Sequence, residues 1–421
     1  MTRRAAACAL ALAVGATACE PGSAPAPDVA SRDSAGVRIV EHGLNPPARW
    51  SLSPEPVLTV SQDLPSGELA LDPVSVFAGP GGSTVVGDGN QVGWHALMVY
   101  GEDGGFRFRV GGRGRGPGEF GGQLWWADSY LGDSLVAWDR RGPTGPSVKV
   151  FGPDGAYARD VTIPQPERAR PQGSGGFSSG AHGWFDDGDF LTSSVGVALP
   201  QPRPGPVRFR HLLLSADPAG MVWDTIGEFG LMEAFWTGTE QVGYRFGAPG
   251  LVRPIGDSVL LANSHAYEYR ILDRTGATVL IVRRQTPSIP VESGHVDEAV
   301  ETFVDYMSRQ PGVSAQDLDR MKETIAATPT APILPAYSNV LVDDAQRVWV
   351  ENYRWPDPWS VPLNPRLSRW DIFSRDGNWL ATLDVPARVL PLSIRGDRLY
   401  SVRIDELDVR HVEVYTIQSI G

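Results

Sequence analysis

One pattern recurs along this 421-residue chain and constrains it more than any single motif. An alternating apolar run leads into a short turn containing glycine, and a second alternating run follows. It reads VKVFGPDGAYARDVTI from Val148 and LMVYGEDGGFRFRVGG from Leu97, then returns in LLLSADPAGMVWDTIGEF, YRILDRTGATVLIVRR and WDIFSRDGNWLATLDV. Side chains of a strand alternate between two faces, so two period-two runs around an Asp-Gly or related turn encode a hairpin. A further short apolar strand, mostly opened by Gly-Asp, accompanies each hairpin: STVVGD, GDSLVAWD, GDFLTSS, GDSVLLAN, QRVWVEN and GDRLYSV. A four-stranded up-and-down unit repeated about six times is the sequence signature of a β-propeller. The 48 Gly and 36 Pro suit many short strands and tight turns rather than long helices.

The last unit, GDRLYSVRIDELDVRHVEVYTI, stops after its third strand. Near the other end, PVLTVSQDLPSGELALDP (Pro56 to Pro73) parallels FRFRVGGRGRGPGEFGG: an outer strand, a polar loop, then Ser-Gly-Glu-Leu in place of Pro-Gly-Glu-Phe. Val57 to Val60 are therefore expected to supply the missing outer strand and close the ring, which removes an exposed sheet edge. The expected fold is all-β: a six-bladed β-propeller over residues 36–421, closed by this N-terminal strand. Residues 291–328 depart from the pattern. HVDEAVETFVDYMSR puts Val296, Val300, Phe303, Val304 and Met307 on one helical face, Pro311-Gly312 breaks it, and Ser314 with Asp317 forms a capping box for a second helix. An α-helical hairpin inserted between the fourth and fifth blades is expected.

The GPGEF ending of the loop that follows FRFRV resembles the connection between blades in NHL-repeat propellers. From about residue 34 to 421 the chain resembles a family of six-bladed bacterial propeller lipoproteins related to them; DSAGVRIVEH and the C-terminal unit fit that resemblance.

The first residues give an address. MTRRAAACALALAVGATAC has Arg3 and Arg4 before a short apolar run of small residues, the layout of a secretory signal over residues 1–18. Ala16-Thr17-Ala18-Cys19 resembles a bacterial lipobox, with Ala16 where Leu is usual, and implies a lipidated Cys19; the alternative is a plain signal peptide cut nearby. Residues 19–35 read as lipidated cysteine and flexible tether. The protein is then expected in the bacterial cell envelope, exported, monomeric, and touching membrane only through its lipid. Cys8 leaves with the signal, so no intramolecular disulfide is available and packing must stabilise the fold. The net charge of −12 argues against a broad nucleic-acid-binding surface.

With the four antiparallel strands of each blade labelled A to D in chain order, strand parity puts the B–C and D–A connections of every blade on one face. The ends of the B strands lie there: Asp88, Asp139, Asn263 and Asn352, whose oxygens could hold Ca²⁺, as lactonase-type propellers do, or could simply cap their own turns. No other cofactor is expected. Arg113 and Arg115 of the GRGRGPGEF loop could clamp an anion, or be solvated or paired with Glu119. Trp355 and Trp359, in a Pro-rich loop, suit stacking on a sugar or peptide, or burial under that loop. GFSSG at 176–180 and GPGEFG at 116–121 match catalytic and dinucleotide patterns without the strand–turn–helix context those need. The seven histidines are scattered; NHL-type amidating lyases gather theirs from different blades, which makes His182 and His265 the candidates. No acid–base pair is recognisable. A binding module for a protein, peptide or glycan on this face is therefore favoured over a metal-assisted lactonase or lyase working at the central mouth.

Overall fold

The structure, a computed structural model, describes residues 29–60, 73–89, 95–121, 124–140, 146–163, 180–196, 203–309, 312–353 and 367–419. Four short strands come first: β1 (Val29–Ser34), β2 (Val37–His42), β3 (Arg49–Leu52) and β4 (Leu58–Thr59). Antiparallel up-and-down sheets then follow one another. The first holds β5 (Pro73–Ala78), β6 (Thr84–Gly89), β7 (His95–Tyr100) and β8 (Phe106–Val110). The next holds β9 (Leu124–Tyr130), β10 (Ser134–Asp139), β11 (Ser147–Phe151) and β12 (Tyr157–Thr162). A third has β13 (Gly180–Trp184), β14 (Phe190–Gly196), β15 (Gly205–Ala216), β16 (Trp223–Trp236) and the short β17 (Gln241–Val242). After it come β18 (Gly250–Ile255), β19 (Ser258–Asn263), β20 (Glu268–Leu272) and β21 (Thr278–Arg284). Helices α1 (Ser293–Ser308) and α2 (Ala315–Ala327) intervene before β22 (Tyr337–Val342), β23 (Val348–Asn352), β24 (Ser368–Phe373) and β25 (Trp379–Val385). The chain ends with β26 (Val389–Arg395), β27 (Arg398–Ile404) and β28 (Arg410–Ser419).

Alternation along the middle strands explains how the sheets stack. Val85 and Leu97 face a core layer shared with Leu124 and Leu135, while their neighbours Val86 and Met98 face the layer shared with Val402 and Val412. Both faces of these strands are covered, so they read as nearly unbroken apolar runs. Further layers join Val136 and Trp138 to Phe190, Leu191 and Leu213 to Val259, Leu260 and Tyr269 to Phe373, and Ile372 to Leu399 and Tyr415. Each sheet thus packs on the next and the last packs on the first, with β26 against β5. The arrangement is propeller-like and mostly β.

The recurring glycine is required twice over. Gly104, Gly155, Gly220, Gly276 and Gly377 all have φ between 70° and 81°, the left-handed region in which a Cβ is costly. Each also abuts the preceding sheet. A Cβ on Gly155 would lie 2.6 Å from Cγ2 of Val110 in β8, and one on Gly377 would lie 2.5 Å from Cγ2 of Val282 in β21. The turn motif in the sequence therefore records contacts between sheets as well as hairpin geometry. Gly104 obeys the same rule, but its neighbour is the carbonyl of Thr59 in β4, 2.5 Å from the built Cβ.

Residues 57–60 do pair with the final strand. Thr59 lies opposite Glu413 and Leu58 opposite Val414, and the Val57 and Val60 amides donate to the Val414 and Val412 carbonyls at 2.8 and 3.0 Å. Other N-terminal pairings carry no local sequence signal. Strand β2 runs parallel to β21, and β3 lies between β25, to which it is parallel, and β28, to which it is antiparallel. The tether expected to reach residue 35 is strand from Val29 onward, because β1 forms a hairpin with β2 across Ala35-Gly36; all six of its residues are exposed.

The helices begin where caps allow. Ser314 accepts from the Asp317 amide while Asp317 accepts from the Ser314 amide, the expected capping box. A second box, Glu292 with His295, opens α1. No residue of either helix is fully buried, so the pair lies over the sheets as a cover rather than a core. Among the described residues no helix is long and apolar enough to cross a membrane.

Candidate functional site

The GRGRGPGEF loop is held by its own backbone. Phe120 donates to the Gly112 carbonyl at 2.7 Å and receives Gly114 at 3.0 Å, and its buried ring packs against Phe151. Glu119 accepts from the Gly116 amide at 2.7 Å, so its carboxylate braces the turn instead of pairing with an arginine. Arg113 and Arg115 are exposed and, among the described residues, make no side-chain hydrogen bond or ion pair.

The four B-strand ends are drawn to different partners. Asp139 is buried and accepts from the Gly121 amide at 2.7 Å, tying β10 to the GRGRGPGEF loop. Asp88 is likewise buried at the end of β6. Asn263 donates to the Leu231 carbonyl at 3.0 Å and accepts from the His265 amide at 3.2 Å. Asn352 belongs to a buried network across the β21–β23 interface: it accepts from Arg284 and donates to Asp371, both at 2.9 Å. Among the described residues no group of three or more His, Cys, Asp or Glu could hold a metal. Cys19, Trp355 and Trp359 lie outside the described residues.

His265 and His411 stand apart from the other histidines, whereas His182 and His211 are near enough for their charges to interact. His265 is exposed, 3.8 Å from Glu233, and His411 is 2.9 Å from Asp405. His182, on inner strand β13, lies 2.7 Å from the Ser193 hydroxyl. Burial pushes its pKa down to about 3, aided by the charge of Arg253 and by His211, which burial lowers to about 4. Both imidazoles are neutral at pH 7. Asp128 on β9 moves the other way, up to about 6, because burial outweighs the Ser129 amide and the Arg395 charge.

What gathers on the B–C/D–A face is a cavity that no motif announced. Strands β15 and β16, at 12 and 14 residues, run beyond the others and carry a small apolar cluster of Val207, Phe209, Ala234 and Trp236 at their far end. The loop after β17 turns back at Tyr244–Gly247, with Phe246 at φ 57°, a strained conformation for a bulky residue. Helices α1 and α2 lean over from the next connection. Together they form a half-open cavity of about 690 Å³, lined by Phe209, Met232, Tyr244 and Phe246 from below and Phe303 and Ile325 from the helices. Ligand sites are commonly of this size and largely apolar.

Two charged side chains line it, Glu233 and Arg245. Glu233 is engaged by Arg208 at 3.1 Å and by the Ala248 amide at 2.9 Å. Arg245 gives Nη1 to the Thr330 hydroxyl at 3.1 Å, while its buried Nη2 has no partner, and burial lowers its pKa. Arg245 carries no motif in the sequence because TGTEQVGYRFGAPG has neither sustained strand alternation nor helical spacing. The available signal was the length of this link between two hairpin units, together with its aromatic residues.

No family model matches the chain, and no curated protein matches its sequence. Among solved structures, a "Putative exported protein" from Bacteroides fragilis superposes with a TM-score of 0.51 at 11% identity, over 91% of this chain and 100% of that one. A member of the DUF4221 family from Bacteroides vulgatus gives 0.49 at 9% identity, over 89% and 99%. The β-propeller domain of Cps50 (Swd1) from Myceliophteria thermophila gives 0.39 at 13%, over 86% and 99%. The latter two scores are too low to argue from. In the first case the two chains share a fold along nearly their whole length.

Proposed function

We propose that this protein is a six-bladed propeller of the NHL-like kind, exported and held in the bacterial cell envelope by lipid on Cys19. We read it as a binding module whose ligand enters the cavity beneath the helical hairpin. The cavity carries the reading: it lies on the face to which strand parity assigns the B–C and D–A connections, and apolar side chains line most of it. Such a lining suits an apolar small molecule or the apolar side chains of a peptide better than a glycan, whose hydroxyls need many polar partners. The successive core layers and the β4–β28 pairing support six blades, with β4 as the outer strand of the last.

The uncharged fluorescent probe N-phenyl-1-naphthylamine tests the site. Saturable binding near one probe per chain is expected, and Ala299→Trp, which fills the cavity from α1, should abolish it without lowering the melting temperature. Substituting Asp154 and Asp376, in turns assigned to the opposite face, should leave binding intact. Binding that survives Ala299→Trp but fails with the Asp154 and Asp376 changes would put the site on the wrong side. For the address, Cys19→Ser should move the protein from the membrane fraction to the soluble one; unchanged partition would reject the lipid anchor.

A further inference from the structure

Arg245 and Arg284 are the same residue in opposite circumstances. Arg284 is buried against Asp371, at 3.4 Å, and lies over the Tyr267 ring, so its charge is compensated even though its Nε makes no hydrogen bond. Arg245 is fixed just as firmly, its amide donating to the Pro329 carbonyl at 2.8 Å and its carbonyl receiving the Ala331 amide at 2.9 Å. Yet among the described residues no carboxylate pairs with it, and Nη2 is buried without a hydrogen bond. Gln241 lines the same cavity, and its Nε2 is likewise buried without a partner. Buried donors left unmade are costly, and both of these residues line the cavity. The cavity's own carboxylate, Glu233, is already neutralised by Arg208 and the Ala248 amide.

We propose that the cavity binds an amphipathic acid, with one carboxylate held by Arg245 and Gln241 and an apolar body lying against Phe209, Met232, Phe303 and Ile325. This rests on the reading of the cavity as the ligand site. A guanidinium edge presents two parallel N–H groups that match the two oxygens of a carboxylate, and such a charge-assisted pair is stronger than a neutral hydrogen bond. The head carries a single negative charge because, among the described residues, Arg245 is the one cation lining the cavity. A phosphate dianion would leave charge uncompensated beside Glu233. The strained Phe246 backbone, adjacent to Arg245, fits a loop held in place for binding rather than for its own stability.

Calorimetric titration with decanoic acid, 1-decanol and decyl phosphate tests the assignment. Decanoic acid should bind about ten- to a hundredfold more tightly than 1-decanol, the range expected for one charged hydrogen-bonded contact. Arg245→Met should erase that preference and leave decanol affinity unchanged, a pattern that a merely structural arginine would not produce. Thr330→Val, which removes the internal partner of Nη1 and keeps the charge, should preserve it. A peptide ending in a free phenylalanine carboxylate, compared with its amide, separates a peptide source of the acid from a free one. Equal affinity for acid and alcohol, or equal weakening of both by Arg245→Met, overturns the proposal, as does tighter binding of decyl phosphate. If N-phenyl-1-naphthylamine binds as expected while the acid preference is missing, only the carboxylate assignment fails; if neither the probe nor decanol binds, the cavity is not the site.

Discussion

Truncation of the chain before residue 63 should abolish its cooperative unfolding transition, while truncation before residue 36 should leave the transition nearly where it was. The shorter deletion removes β1, all of whose residues are exposed. Changes at exposed positions usually shift stability by no more than about 0.5 kcal/mol each. The longer one takes away β2, β3 and β4, and with them the pairing to β21, the buried Val40 and the seam between β25 and β28. Strand β28 loses the amide donors of Ser53, Val57 and Val60, and β25 loses the Ala48 carbonyl that accepts from Thr382. Trp50, edge-on to Trp349 at 5.9 Å, leaves one core layer and the buried Val60 leaves another. Gly104 then faces solvent where Thr59 had been. An unpaired strand beside an opened layer invites association between molecules, so aggregation should accompany the lost transition. Denaturant titration of both truncations decides the matter: equal midpoints would mean that the N-terminal strands close nothing.

Replacing Asp371 should be the most damaging single change among the polar residues. Its carboxylate is fully buried and receives the Tyr267 hydroxyl at 2.6 Å and the Asn352 amide at 2.9 Å, with Arg284 at 3.4 Å. Burial raises its pKa above the usual carboxylate range even so; the Arg284 charge and these hydrogen bonds pull the other way. Asp371→Ala strands a guanidinium that is itself mostly buried, and breaking such a pair costs about 3–5 kcal/mol. Combining it with Arg284→Met should cost less than the sum of the two single changes, since the second removes the charge that the first had isolated. Additive losses in that double-mutant cycle would show that the two residues act independently. Because Asn352 shares the network, Asn352→Leu should also lower stability.

The repeat was legible because its causes are local. Alternating runs write each strand, and the glycine of each turn is demanded by a left-handed φ within four residues of chain. The outer strand at 57–60 could be inferred from the unit left incomplete at the other end, since a missing strand leaves an edge that must be covered. The two helices could be inferred from their apolar spacing and from one capping box. Strands β2 and β3 could not, because parallel pairing to β21 and β25 uses no turn and joins residues more than two hundred positions apart. Nor could the cavity. Its walls come from an overlong hairpin, an aperiodic loop and the helical hairpin, and only their packing brings the three together. The fate of the arginines shows the same division. Arg113, Arg245 and Arg284 are one residue type to a sequence reader; tertiary structure leaves the first in solvent, half-buries the second beside an apolar cavity, and gives the third its aspartate. Charge in a protein is governed by what lies within a few ångströms in space, and the order of residues along the chain does not record that distance.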